Sequence, residues 1–172
     1  MTVEREAAFV FAGGPVTLIG SALKAGDKAP AFTALGTNLA EAKLSDYAGK
    51  VRIISSVPSL DTGVCDTQTR RFNQEAAGLG EHVVVLTLSM DLPFAQKRWC
   101  GAAGVDRVVT LSDFREGSFG AAFGTLMKGW RLLSRAVFVV DSQDQVVYAE
   151  YVKAAGEQPN YEAVIEAARA AK

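Results

Sequence analysis

Residues 51–73 read VRIISSVPSLDTGVCDTQTRRFN, and two periods follow one another within them. Val51 to Val57 is rich in β-branched residues and too continuously apolar for a strand with one wet face. Such runs form central strands covered on both sides. From Thr62 to Gly80 the period changes: Val64, Phe72, Ala76 and Leu79 fall on one helical stripe, and Gly78 and Gly80 punctuate its end. A buried strand followed at once by an amphipathic helix predicts a βα crossover. Two later runs, Val83 to Ser89 and Ala136 to Asp141, share the character of the first.

Working outward, Ala8 to Phe11 and Val16 to Ile19 flank Ala12-Gly13-Gly14-Pro15, the pattern of a β-hairpin with a glycine-permitted turn. A loop around Lys24 to Pro30 follows. Downstream, Asp91 precedes a second helical stretch that ends at Gly104, with Pro93 in its first turn, where a missing N–H is harmless. Val108 to Thr110 reads as a short strand. Ala136 to Asp141 and Gln145 to Tyr151 flank the polar turn Ser142-Gln143-Asp144, and Tyr161 to Lys172 reads as an amphipathic helix capped by Asn160. The expected fold is α/β: a mixed sheet sandwiched by helices, with an N-terminal β-hairpin. No repeat, low-complexity tract or linker interrupts the chain, so residues 1–172 are expected to form one domain.

With 172 residues, 49% of them hydrophobic, the chain is long enough to bury a core without staples. Its 18 Lys and Arg balance 19 Asp and Glu, and the basic pairs Arg70-Arg71 and Lys97-Arg98 are isolated. That removes the electrostatic basis for nucleic-acid binding. No stretch approaches the ~20 apolar residues a membrane span needs. Glu4 and Glu6 stand where a secretory leader would be positive, so the expected compartment is cytoplasmic.

In such a compartment structural disulfides are rare, which makes the two cysteines, Cys65 and Cys100, informative. Zinc needs about four N/S ligands, or three and an open position, and the chain offers two sulfurs and one histidine, His82. A cysteine–histidine nucleophile pair is disfavoured because His82 directly precedes a buried run. Cys65 falls in the first turn of the predicted helix, where unsatisfied N–H groups and the positive dipole end favour a thiolate over a thiol. Thr62, three residues earlier, is placed to cap that helix and to hydrogen-bond the sulfur. Three readings remain from the residues alone: inert buried cysteine, a structural disulfide contributing ~4 kcal/mol by loop entropy, or redox chemistry. A thioredoxin-type C-x-x-C pair is absent, since Gln68 occupies that spacing.

The run Pro58 to Asn73, PSLDTGVCDTQTRRFN, contains the P-x-x-x-T-x-x-C pattern of peroxiredoxins and closely resembles their thiol peroxidase branch, the atypical two-cysteine peroxiredoxins. Asp91 to Gly104, DLPFAQKRWCGAAG, resembles that branch's helix with the resolving cysteine, and Ser134 to Asp141, SRAVFVVD, its arginine-bearing strand. The likeness extends from the Gly14-Pro15 hairpin onward. It departs at Gly63, where many relatives place proline, and at Trp99, often phenylalanine.

The resemblance implies a thioredoxin-like fold, a homodimer, and reduction of hydroperoxides with electrons from thioredoxin; no cofactor is expected, nor, given the scarcity of ligands, a metal. It makes Cys65 the peroxidatic sulfur and Cys100 the resolving one, with Pro58, Thr62 and Arg135 framing the peroxide. Each need of O–O cleavage then has a residue: a thiolate nucleophile, donors aimed at the oxygens, and exclusion of water. Cys65 begins one helix and Cys100 lies near the end of another, so a disulfide, which needs Cα atoms ~4.4–6.8 Å apart, requires local unwinding. Leu92, Phe94 and Trp99 are candidates for an apolar wall favouring organic hydroperoxides, or for packing or dimer contacts. A non-catalytic redox sensor or holdase using the same cysteine pair is the competing class.

Overall fold

The computed structural model describes residues 2–172. The chain opens with antiparallel β1 (Glu4–Phe11) and β2 (Gly14–Ile19), joined through Ala12 and Gly13 at φ of 52° and 82°. Two consecutive left-handed residues make the tight turn whose twist matches its strands. The turn is shorter than the sequence suggests: Gly14 and Pro15 already pair with Phe11 and Val10. There follow β3 (Thr33–Leu35), β4 (Glu41–Lys43), a single 3-10 turn at Leu44–Tyr47, β5 (Val51–Ser56), α1 (Gly63–Ala76) and β6 (Val83–Ser89). The remainder is α2 (Pro93–Ala103), β7 (Val108–Ser112), α3 (Ser118–Ala122), β8 (Leu126–Met127), β9 (Ala136–Val140), β10 (Val146–Tyr151) and α4 (Tyr161–Ala170).

Seven strands form one mixed sheet in the order β10-β9-β5-β6-β7-β3-β4, and the hairpin joins β8 in a separate sheet of three. β5, β6 and β7 are parallel, as the crossovers through α1 and α2 require, while β9 runs antiparallel to β5. The apolar runs are buried on both faces because successive side chains enter different cores. Ile53, Val85, Val137 and Val139 pack with Phe72 of α1 and with Tyr161, Val164 and Ala168 of α4. Ile54, Leu86, Phe138 and Val140 pack on the opposite face with Phe32, Phe119 and Phe123. Each such large side chain contributes ~1.5–3 kcal/mol by burial.

The three long helices lie close to their expected spans. α1 stops at Ala76, four residues before the glycine expected to end it, in tight turns from Gly78 N–H to Glu75 O and from Leu79 N–H to Ala76 O. α2 ends at Gly104 in the left-handed conformation, φ 67°, and the Asn160 side chain accepts from Ala163 N–H at 3.1 Å to cap α4.

Strand pairing decides what meets at one end of the large sheet. Ser56, the last residue of β5, pairs with Ala136, the first of β9, and with Leu88 near the end of β6. The loop from Val57 to Thr62, Arg135 and Asp91 are therefore brought to the same edge, although they span most of the chain.

Candidate active site

Thr62 is the N-cap of α1 with extended backbone, so Cys65 is the third helical residue, and it is fully buried. Its sulfur accepts from Arg135 Nη2 at 3.3 Å. The same nitrogen donates to the carbonyl of Ala155 at 2.7 Å, and Nη1 donates to Gln68 Oε1 at 2.8 Å. Gln68 is fixed in turn by its amide, which donates to Ser55 Oγ at 2.6 Å. Arg135 is 1% exposed and no carboxylate pairs with it among the described residues. The guanidinium thus sets its positive charge directly against Cys65 Sγ.

The Thr62 side chain corrects an expectation. It does not cap the helix, and its hydroxyl donates to the carbonyl of Ser59 at 3.1 Å rather than to sulfur. The loop turns back on itself between Ser59 and Thr62, which puts a carbonyl closer to the hydroxyl than any helical N–H. The Thr62 oxygen keeps a lone pair for an incoming O–H. Pro58 is buried beside it, and Pro58, Thr62, Val64, Arg135, Ala155 and Phe11 line a cavity of about 300 Å³. Phe11 arrives from the N-terminal hairpin, a contribution no local pattern announced.

Asp91 secures the loop. It accepts from Ser59 Oγ at 2.7 Å, Leu60 N–H at 2.8 Å and Ser89 Oγ at 2.7 Å, tying the approach to Cys65 to the end of β6. Neither Gln68 nor Asp91 was singled out from the sequence as a site residue. The usable signals were a polar side chain three residues after Cys65, on the same helical face, and serines interrupting otherwise apolar strands at Ser55 and Ser89.

Cys100 lies elsewhere. Half-buried in α2, its sulfur is 3.5 Å from Thr110 Oγ1 and borders a different cavity, of about 500 Å³, together with Tyr47, Lys97 and Val109. Both cysteines are free thiols. Trp99 separates the two settings, packing against Val57, Leu60 and Cys65. Of the three candidates for an apolar wall, Trp99 packs at Cys65, whereas Leu92 and Phe94 are 49% and 65% exposed and neither lines the cavity beside Arg135. The inward stripe of α2 runs through Pro93 and Gln96, which turns Phe94 outward. His82 is exposed just before β6, and among the described residues no group of three His, Cys, Asp or Glu side chains is placed to hold a metal ion.

A buried cysteine sulfur at a helix start, faced by a buried arginine that itself lines a small apolar cavity, is an arrangement suited to a thiol nucleophile. The family model for Redoxin matches residues 24–165. The chain belongs to the Redoxin family. It is 62% identical over 164 residues to the thiol peroxidase of Bacillus subtilis (strain 168), covering 95% of this chain and 98% of that protein. To the thiol peroxidase of Streptococcus pneumoniae (strain ATCC BAA-255 / R6) it is 52% identical over 160 residues, 93% of this chain and 98% of the other. Among solved structures, a peroxiredoxin-like protein from Aquifex aeolicus superimposes with a TM-score of 0.87 at 40% identity, covering 96% of this chain and 98% of that one. The expected α/β architecture, thioredoxin-like with an N-terminal hairpin, stands.

Proposed function

We propose that Cys65 and Cys100 are the peroxidatic and resolving cysteines of a thiol-dependent peroxidase that reduces hydrogen peroxide and organic hydroperoxides. The observation that carries the reading is the 3.3 Å contact of Arg135 with the buried Cys65 sulfur at the start of α1. The Cys65 thiolate attacks one peroxide oxygen; the S–O bond forms as the O–O bond breaks. The bonding pair leaves on the second oxygen, which takes a proton and departs as water or an alcohol. Arg135 stabilises the charge as it moves, Thr62 accepts from the peroxide O–H, and Pro58 limits water at the sulfur.

The resulting sulfenic acid condenses with the Cys100 thiol, forming the Cys65–Cys100 disulfide and releasing water, before further peroxide can drive it to sulfinic acid. Thioredoxin then reopens that bond by thiol–disulfide exchange, its own dithiol becoming the disulfide. The working molecule is a homodimer in a reducing, cytoplasmic setting. No helix among the described residues is long and apolar enough to cross a membrane.

Peroxide consumption coupled to thioredoxin and its reductase tests the reading. Cys65→Ser abolishes turnover, whereas Cys100→Ser completes one fast oxidation and stops. Equal steady-state rates for Cys65→Ser and the unaltered chain overturn it. Reversible disulfide formation without sustained turnover returns the sensor alternative.

A further inference from the structure

Cys65 is fully buried in the first turn of α1 and Cys100 sits half-buried in α2, so if the pair reacts as proposed above, these helical turns must rearrange for the two sulfurs to meet. What holds the second turn shut comes from the helix that carries the first. Trp99 Nε1 donates to Asp66 Oδ1 at 3.0 Å, and Asp66 directly follows Cys65. Arg70, one helical turn further along α1, donates to the other oxygen of Asp66 at 2.8 Å. It also places its guanidinium 5.7 Å over the Trp99 ring and donates to the carbonyl of Ala103 at 3.2 Å, at the end of α2.

The other end of α2 is tethered separately. Gln96 is buried and its amide donates to Ser89 Oγ at 3.0 Å and to the carbonyl of Leu111 at 2.9 Å. Beyond Gln96 the helix is weak in itself: Gly101 is exposed in its last turn and Gly104 ends it. The Cys100 turn is thus tied to α1 through Trp99 and Ala103, and to β7 by the contact of its sulfur with Thr110.

We propose that Asp66 and Trp99, braced by Arg70, form a latch that couples the two openings. When the first turn of α1 unwinds to bring Cys65 out, Asp66 moves with it, the Trp99 N–H loses its acceptor, and the Cys100 turn is freed in the same event. Asp66 and Trp99 are positioning residues: neither touches the peroxide, and their effect falls on the second step, in which the Cys100 sulfur bonds to the Cys65 sulfenic sulfur and water leaves. This rests on the functional reading above and assigns the residues that time its second step.

The test is a single turnover of the reduced full-length chain with one equivalent of hydrogen peroxide, quenched by alkylation and read by mass. Loss of the Cys65 thiol and appearance of the disulfide are followed separately. Asp66→Asn and Trp99→Phe are expected to oxidise Cys65 at the unaltered rate and to form the disulfide about three- to tenfold faster. That factor corresponds to a charged hydrogen bond discounted for partial exposure. The double variant is expected to be no faster than the faster single one, because Asp66→Asn weakens, by removing the acceptor's charge, the same hydrogen bond whose donor Trp99→Phe removes. Amide exchange over residues 99–104 is expected to accelerate by a similar factor, with Gln96 unchanged. Trp99→Phe keeps the ring packing and so reports even if Asp66→Asn fails to fold. Unchanged or slower disulfide formation, or additive effects in the double variant, overturns the latch alone. Absence of a Cys65–Cys100 disulfide in the unaltered chain overturns the functional reading and the latch together.

Discussion

Arg135 uses two nitrogens to hold three partners: Cys65, the carbonyl of Ala155 and, through Gln68, the buried Ser55. Only a planar fork reaches all three at once; a lysine ammonium offers a single charged point on a flexible stem. Arg135→Lys is therefore expected to slow Cys65 oxidation by about 10²-fold, the usual cost of removing one donor aimed at developing charge, as read by stopped-flow with hydrogen peroxide. A change of less than about threefold would mean that the positive charge alone suffices. Thr62 makes a different case, because its hydroxyl is already a donor to Ser59. Thr62→Ser should keep the oxidation rate and Thr62→Val should lower it about tenfold, with the melting temperature of both within a few degrees of the parent. If Thr62→Val instead lost stability and kept its rate, the hydroxyl would be a loop brace with no part in the chemistry. The place of Cys65 at a helix start was legible because strand, proline, hydroxyl residue and helical period follow one another in the sequence, while the role proposed for it came from the resemblance. The direction of the Thr62 hydrogen bond was not legible, since an N-cap hydroxyl ordinarily serves helical N–H groups and only the folded loop sets a carbonyl nearer.

Helix α3 has only five residues, and its stability comes from outside itself. Asp113, 1% exposed, lies beyond the end of β7 and accepts from Phe119 N–H at 3.0 Å and from Gly120 N–H at 2.8 Å, satisfying two donors of the first turn. Burial pushes its carboxyl up from 3.8 to about 6, against the pull of those two N–H groups and of Arg131. The folded protein thus binds this proton more tightly than the unfolded chain does. The resulting stability is fully present below about pH 4 and is lost as pH rises through about 6, a change on the order of 3 kcal/mol from this group. Asp113→Asn should flatten the pH dependence of unfolding between those limits when denaturant midpoints are compared at several pH values. An identical slope in the variant would assign the dependence to other groups. Elements of this kind are also those the sequence conceals. α1, α2 and α4 announce themselves by periodic burial and end signals, whereas β3, β4 and α3 are three to five residues long and carry too few side chains to show a period. Their structure is imposed by tertiary contacts, such as Leu35 meeting Ser112 on β7 and Ser118 Oγ accepting from Thr33 N–H.

At the scale of the molecule, the N-terminal hairpin lies outside the stretch matched by the family model, yet it reaches the site. β1 is stitched to the segment after β10 by Val10 N–H to Lys153 O at 2.8 Å and Ala155 N–H to Val10 O at 3.0 Å. Arg5 stacks over Tyr151 at 4.9 Å, and Lys128 pairs with Glu4 at 2.8 Å. All but the last of these ties fasten the hairpin to the β10 edge of the large sheet, and we propose that the chain folds as one unit. Far-ultraviolet and near-ultraviolet signals are then expected to lose structure in a single coincident transition, and a separate early step for the hairpin would divide it from the body. The same stitching has a consequence for substrate choice. Ala155 supplies a carbonyl to Arg135 and an N–H to Val10, so the hairpin is registered directly against the residue that helps to hold the guanidinium. It delivers Phe11 to the cavity wall, where the ring meets Trp130 edge-to-face at 5.1 Å. An apolar wall contributes nothing to a two-oxygen substrate and contributes burial to one with a hydrocarbon tail. Phe11→Ala should raise KM for a bulky organic hydroperoxide about tenfold and leave kcat/KM for hydrogen peroxide close to the parent value, in paired steady-state assays. Equal losses for both substrates would show that Phe11 supports the Arg135 environment through Ala155, and that selectivity for the organic group arises elsewhere in the cavity.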